Sequence, residues 1–85
     1  MTQEEVLGVL RKAIAIVLEV DPSTLQRTTR FVDDLKADSL ALVEIVEIVE
    51  EDLTSRRPGF RFDDEDLDGL ATLGDAVDYA VARLT

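Results

Sequence analysis

The stretch from Ser39 to Leu53 constrains this chain most, because its apolar residues recur at a helical period. On a wheel of about 100° per residue, Leu42, Ile45, Val46, Val49 and Leu53 fall on one side. Glu44, Glu47 and Glu51 fall opposite, together with Leu40 and, less centrally, Val43. The aliphatic stripe needs other helices to cover it, while the acidic face with its two apolar members has the makings of a docking surface. Single exposed aliphatics are also normal, and glutamates solvate helices, so the pattern alone leaves both readings open. Ser39 belongs to the first turn, beside backbone N–H groups without helical partners and at the positive end of the helix dipole. Such a position suits a phosphate. Asp and Ser are equally ordinary helix caps, and Asp38-Ser39-Leu40 by itself does not choose between the two.

The remaining pattern supplies partners for that stripe. Thr2-Gln3-Glu4-Glu5 reads as a capping box opening a first helix, with Val6, Leu10, Ala13, Ile14 and Val17 on its apolar face and Asp21-Pro22-Ser23 as its stop. Residues 21 to about 37 read as a long loop in which Leu25, Phe31, Val32 and Leu35 are anchors; Pro22-Ser23-Thr24-Leu25 is too brief to read as a helix. Pro58-Gly59 breaks the chain after the second helix, and Phe60 and Phe62 alternate with polar neighbours so that one or both rings can drop onto a bundle. Arg56, Arg57 and Arg61 in this loop either pair with nearby acids or form a partner-specific contact, the former being the simpler expectation. Asp64 to Gly69 fits one short helix, and Thr72-Leu73-Gly74-Asp75 opens a last one with Leu73, Ala76, Val77, Ala80, Val81 and Leu84 as its face. Apolar residues make up 46% and aromatics only 5% of 85 residues, which fits aliphatic helix packing in a single small domain spanning 1–85. The expected fold is all-α, a four-helix bundle of three main helices, one short third helix and a long loop between helices one and two.

Nine basic against nineteen acidic residues give a formal charge of −10, which argues against nucleic acid and anionic membrane surfaces. A basic protein surface is the natural complement, although the charge also serves simply to keep a small domain soluble and monomeric. The chain has no cysteine and no histidine, which excludes disulfides, thiolate sites and serine–histidine catalysis. Ser39 thus has no activating base, and scattered surface carboxylates lack the enclosure acid–base catalysis needs, so the expectation is a protein that is not an enzyme. The acidic start Met1-Thr2-Gln3-Glu4-Glu5 and the lack of any long apolar run predict a cytoplasmic protein without stable membrane insertion. A competing motif is Asp64-Glu65-Asp66-Leu67-Asp68-Gly69 with Asp75 at its twelfth position, an EF-hand-like calcium loop or interaction module. Against it stand the short Asp75 side chain, the missing lead-in helix across Pro58-Gly59, and the lack of a second hand.

Phe31-Val32-Asp33-Asp34-Leu35, Asp38-Ser39-Leu40 and Val43-Glu44-Ile45-Val46-Glu47 together resemble the modification site of acyl carrier proteins, and the resemblance extends over essentially the whole chain. It implies a 4′-phosphopantetheine arm on Ser39, attached from coenzyme A by a phosphopantetheinyl transferase using magnesium, with Asp38 helping to place the metal or the coenzyme. It implies further that acyl groups travel on that arm as thioesters between acyl-loading, elongating and acyl-transferring enzymes of fatty-acid, polyketide or lipopeptide biosynthesis. Those partners would dock basic patches on Leu40, Val43, Glu44, Glu47 and Glu51. Leu42, Ile45, Val46 and Val49 are the expected lining of an acyl pocket, with plain core packing an equally good account of them. Two departures from the family pattern, Ala41 in place of an acid and the longer arginine-bearing loop at 54 to 63, suggest a carrier dedicated to one pathway.

Overall fold

The computed structural model describes residues 2–67 and 69–84. Among them the helices are α1 (Gln3–Leu18), α2 (Ser39–Thr54), α3 (Asp64–Leu67) and α4 (Leu73–Leu84), with a single 3-10 turn at Pro22–Thr24. This is the all-α bundle with a long first loop that the sequence predicts. Thr2 and Glu5 form the expected capping box: Glu5 N donates to Thr2 Oγ1 at 3.2 Å and Thr2 N donates to Glu5 Oε1 at 3.0 Å. The bond from the Thr2 backbone, and then its hydroxyl, holds the Glu5 carboxyl below its ordinary pKa. The 3-10 turn is where the sequence reads as loop. Asp21 Oδ1 accepts from Ser23 N and Ser23 Oγ, and Pro22 presets the backbone angle, so three residues suffice for a turn too short to show a period.

Helix α1 is the centre of the molecule and packs against both α2 and α4. Its Val6, Leu10, Ala13 and Ile14 are no more than 2% exposed; they meet Ile45, Val49 and Leu53 of α2 and Leu73, Ala76, Val77 and Ala80 of α4 in one core. Leu42 and Val46 of the predicted stripe are only half-buried, because they lie towards the edge of the α2 face that α1 covers.

The long loop is held by backbone pairing with the segment that precedes α4. Phe31 N donates to Ala71 O, Leu73 N to Thr29 O and Gly74 N to Arg27 O, at 2.9 to 3.1 Å. Gly74 permits this approach, since a Cβ there would sit 3.1 Å from the Arg27 carbonyl oxygen. Leu25 and Phe31 are buried anchors and Leu35 is half-buried, but Val32 is 65% exposed. The tight turn that follows Arg30 sends Phe31 inward and its neighbour outward, which overturns the expectation of Val32 as an anchor.

Both Phe60 and Phe62 drop into the core, each 4% exposed, and stack in series with Tyr79 at centroid separations of 5.4 and 5.2 Å. The Tyr79 hydroxyl donates to Asp66 Oδ2 at 2.7 Å and accepts from Asp63 N at 3.1 Å. Arg83 lies over the Tyr79 ring and pairs with Asp63 at 2.8 Å and Asp66 at 3.3 Å. The short α3 is therefore suspended from α4. Burial raises the Tyr79 phenol above its ordinary value of 10.0. A folded pKa above the unfolded one means that stability is fully present below the unfolded value and declines as pH rises through the folded one. Tyr79→Phe is expected to cost about 1 kcal/mol at neutral pH. In urea titrations across alkaline pH the parent should lose stability above the ordinary phenol pKa more steeply than Tyr79→Phe, and parallel curves would contradict this account.

Candidate functional site

The turn that closes the long loop sets the start of α2. Ala37 is buried, Lys36 takes a left-handed conformation at φ 56°, and Asp38 then adopts the extended geometry of an N-cap. Asp38 Oδ1 accepts from Ala41 N at 2.8 Å, and Asp38 O accepts the first helical bond from Leu42 N at 3.0 Å. Asp38 is thus the cap. Ser39, next in line, is exposed, and its hydroxyl bonds no group among the described residues. The Ser39 and Leu40 N–H groups, the first two of the helix, also point beyond it without helical acceptors.

Two hollows open on either side of Ser39. One, of about 530 Å³, follows a stripe of α2 through Ser39, Val43, Val46 and Glu50, and is closed by Leu67 of α3 and by Arg61 and Phe62. From Ser39 to Glu50 it runs about 16 Å along the helix. The other, of about 600 Å³, lies between the long loop and the segment before α4, and shares Ser39, Leu42 and Leu67 with the first. Leu67 therefore stands between them, on the helix that Tyr79 and Arg83 suspend.

The predicted site residues divide by their place on α2. Leu40 is 68% and Val43 42% exposed, and Glu44, Glu47 and Glu51 are exposed beside them, so the mixed apolar and acidic face exists as a surface. Of the four residues read as pocket lining, Leu42 and Val46 line the groove. Ile45 and Val49 do not: at 1% and 0% exposure they point into the core, on the side of α2 that α1 covers. Glu50, Phe62, Arg61 and Leu67 line the same groove, which the sequence does not assign to any of them; Arg61 is read there only as an ion pair or a partner contact. Glu50 falls on the Ser39 stripe of the wheel and was legible there; the other three arrive from outside α2 and carry no such signal. Glu50 Oε2 accepts from Phe62 N at 2.7 Å, which closes the groove's far end.

The calcium-loop reading fares poorly on its described members. Asp66 is engaged by Tyr79 and Arg83, while Asp75 caps α4 by accepting from Ala71 N and Thr72 N. The Asp64 side chain and Asp68 lie outside the described residues. Among those described, no three acidic side chains converge as a metal site.

A family model described as the phosphopantetheine attachment site matches residues 8–80. The meromycolate extension acyl carrier protein of Mycolicibacterium smegmatis is 42% identical over 78 residues, covering 92% of this chain and 74% of the relative. The chain belongs to the acyl carrier protein family. The acyl carrier protein of Rhodococcus erythropolis is 41% identical over 78 residues, 92% of this chain and 80% of the relative. The meromycolate extension acyl carrier protein of Mycobacterium leprae is 40% identical over 79 residues, 93% of this chain, which spans 64% of that relative's length. Among solved structures, the acyl carrier protein of Enterococcus faecalis aligns with a TM-score of 0.74 and 34% identity over 98% of this chain and 99% of that one.

The prosthetic group of this carrier family is 4′-phosphopantetheine, and the local geometry fits it. A hydroxyl that is accessible and has no hydrogen bond among the described residues, two N–H groups beside it without helical acceptors, and open grooves to either side are what a phosphodiester and a flexible arm need. The division of labour at the helix start yields a test. Asp38→Ala should lose about 1 kcal/mol of stability with its cap, whereas Ser39→Ala should stay within about 0.5 kcal/mol of the parent. Equal losses in chemical denaturation would show that Ser39 shares the capping role.

Proposed function

We propose that this chain is an acyl carrier protein of lipid biosynthesis and that Ser39 is its point of attachment. The observation that carries the reading is the Ser39 hydroxyl, exposed and without a hydrogen bond among the described residues, at the first position of α2 inside the matched family region. In the attachment step the Ser39 Oγ forms a bond to the phosphorus next to the pantetheine half of coenzyme A. The phosphoanhydride bond breaks, the adenine nucleotide half leaves, and the serine proton passes to a base of the phosphopantetheinyl transferase. Asp38 holds Ser39 at the helix start with one carboxylate oxygen, and its other oxygen would help to place the magnesium or the coenzyme. Once attached, the arm supplies a thiol that this cysteine-free chain lacks, on which acyl groups ride as thioesters.

The chain's own part is to bind and present. Glu44, Glu47 and Glu51 steer basic patches of acyl-loading, elongating and transferring enzymes, and Leu40 and Val43 provide apolar contact close to Ser39. Leu42, Val46 and Leu67 offer apolar cover to an acyl chain folded back along α2. The protein acts as substrate and shuttle rather than catalyst, as a cytoplasmic monomer. No described helix is long and apolar enough to cross a membrane, which is in keeping with that setting.

Incubation with coenzyme A, magnesium and a broad-specificity phosphopantetheinyl transferase should add one phosphopantetheine to the intact mass of the parent and none to Ser39→Ala. Modification of both, or of neither when both are folded, would overturn the assignment. Ala41 and the arginine-bearing loop favour service to one dedicated pathway. On that reading the loaded protein should turn over poorly with a housekeeping fatty-acid synthase set, and turnover equal to that of the housekeeping carrier would refute it.

A further inference from the structure

At the end of α2 remote from Ser39, about 24 Å along the helix, the charge of the chain reverses. From Thr54 to Phe62 there are three arginines and no acid, in a protein of formal charge −10. Arg56, Arg57 and Arg61 are all exposed. The simpler expectation was that they pair with neighbouring carboxylates, and they do not: the ion pairs among the described residues belong to Arg27, Arg30 and Arg83. Arg57 reaches only the Leu84 carbonyl oxygen, at 3.3 Å, and Arg61 has no hydrogen-bond partner among the described residues.

The segment is not a slack tether. Phe60 and Phe62 are sunk in the core, Gly59 turns the chain at φ 87°, and the backbone is tied by Arg57 N to Leu53 O at 2.8 Å and Phe62 N to Glu50 at 2.7 Å. Arg57, Arg61 and Arg83 stand around a hollow of about 470 Å³ over the Pro58-Gly59 turn, and its one acidic lining residue, Asp63, is paired with Arg83. Two guanidinium groups are thereby displayed from a fixed backbone with no ion pair among the described residues. Cations are not needed there for solubility, since the net charge already secures it.

We propose that the loop around Arg57 and Arg61 is a second docking surface, and that its occupant is a carboxylate-rich protein surface. Planar guanidinium groups match carboxylates in paired hydrogen bonds, and a protein can offer carboxylates to this loop alone, whereas the extended anionic face of a nucleic acid or a membrane also meets the acids on the rest of the molecule. A partner engaging both ends of α2 would then read a dipole, basic opposite the Ser39 end and acidic opposite this loop. Such a pattern fixes the orientation of docking as well as its strength. The proposal goes beyond the carrier reading and does not require Ser39 to be modified.

The test is a titration of isotope-labelled protein with a poly-glutamate peptide at low salt, read by amide and arginine Nε–H chemical shifts. Shifts confined to the loop and Arg83, with Ser39 to Glu44 unmoved, are expected. The Arg57→Gln/Arg61→Gln double variant, both positions exposed and outside the core, should bind about tenfold more weakly while keeping the parent's circular dichroism. A loop that does not move, or a double variant that titrates like the parent, overturns the proposal. So does inorganic phosphate producing the same shifts at matched charge, since that marks an adventitious ion only.

Discussion

The Ser39 end of the molecule depends on the backbone pairing between the long loop and residues 71–74. A connection of this length carries many polar backbone groups across an apolar core, and each one buried without a partner is costly. Phe31 N, Leu73 N and Gly74 N each find a carbonyl across the gap, and Gly74 lets the two segments come close enough. The turn continues with Lys36 N to Val32 O and Ala37 N to Phe31 O, and hands the chain to Asp38 already in cap geometry. The place of the Ser39 hydroxyl is thus set by contacts with the entry to the last helix, far away in sequence.

Helix positions and most of the core were legible because aliphatic period and capping boxes are local. Thr2 with Glu5, Thr72 with Asp75, and the stripes of α1 and α4 all stand where the spacing puts them. What was not legible depends on a third body. The wheel groups Leu42, Ile45, Val46 and Val49 as one stripe, but which of them faces α1 and which faces the groove follows from how α1 and the Phe62 loop divide that stripe. Val32 is exposed for a similar reason, since the turn after Arg30 is fixed by Asp34, whose Oδ2 accepts from Arg30 N at 2.8 Å. For Arg56, Arg57 and Arg61 the sequence leaves pairing and partner contact both open, with pairing the simpler, because opposite charges close in sequence suggest pairs; among the described residues none of the three forms an ion pair, and the buried rings on either side fix where Arg61 stands.

Aromatic residues are few, and those of the last third act together. Phe60 and Phe62 close the core beyond α2, Tyr79 extends the stack onto α4, and its hydroxyl and Arg83 carry α3. The same α3 contributes Leu67, the side chain between the two hollows beside Ser39. With only four described residues, α3 has too few internal hydrogen bonds to hold itself, so its position is decided by side chains of α4. The wall of the groove is therefore tied to the core by polar contacts at the surface. Such contacts are individually weak, which makes α3 the element that can yield with least loss of apolar burial.

The sequence motif leaves two readings of Asp38-Ser39 open, and the geometry gives the cap to Asp38 and leaves the Ser39 hydroxyl without that task. A helix start needs a side-chain oxygen to take an orphan N–H, and Asp38 provides it through Ala41 N. Were the serine at the cap, its own hydroxyl would turn inward to that N–H and be lost as a nucleophile. Moving it one position into the helix frees the hydroxyl and leaves it beside the first two unpartnered N–H groups, where a phosphate is electrostatically welcome. The order Asp then Ser is what makes this possible; reversed, the cap and the exposed hydroxyl would compete for the same atom.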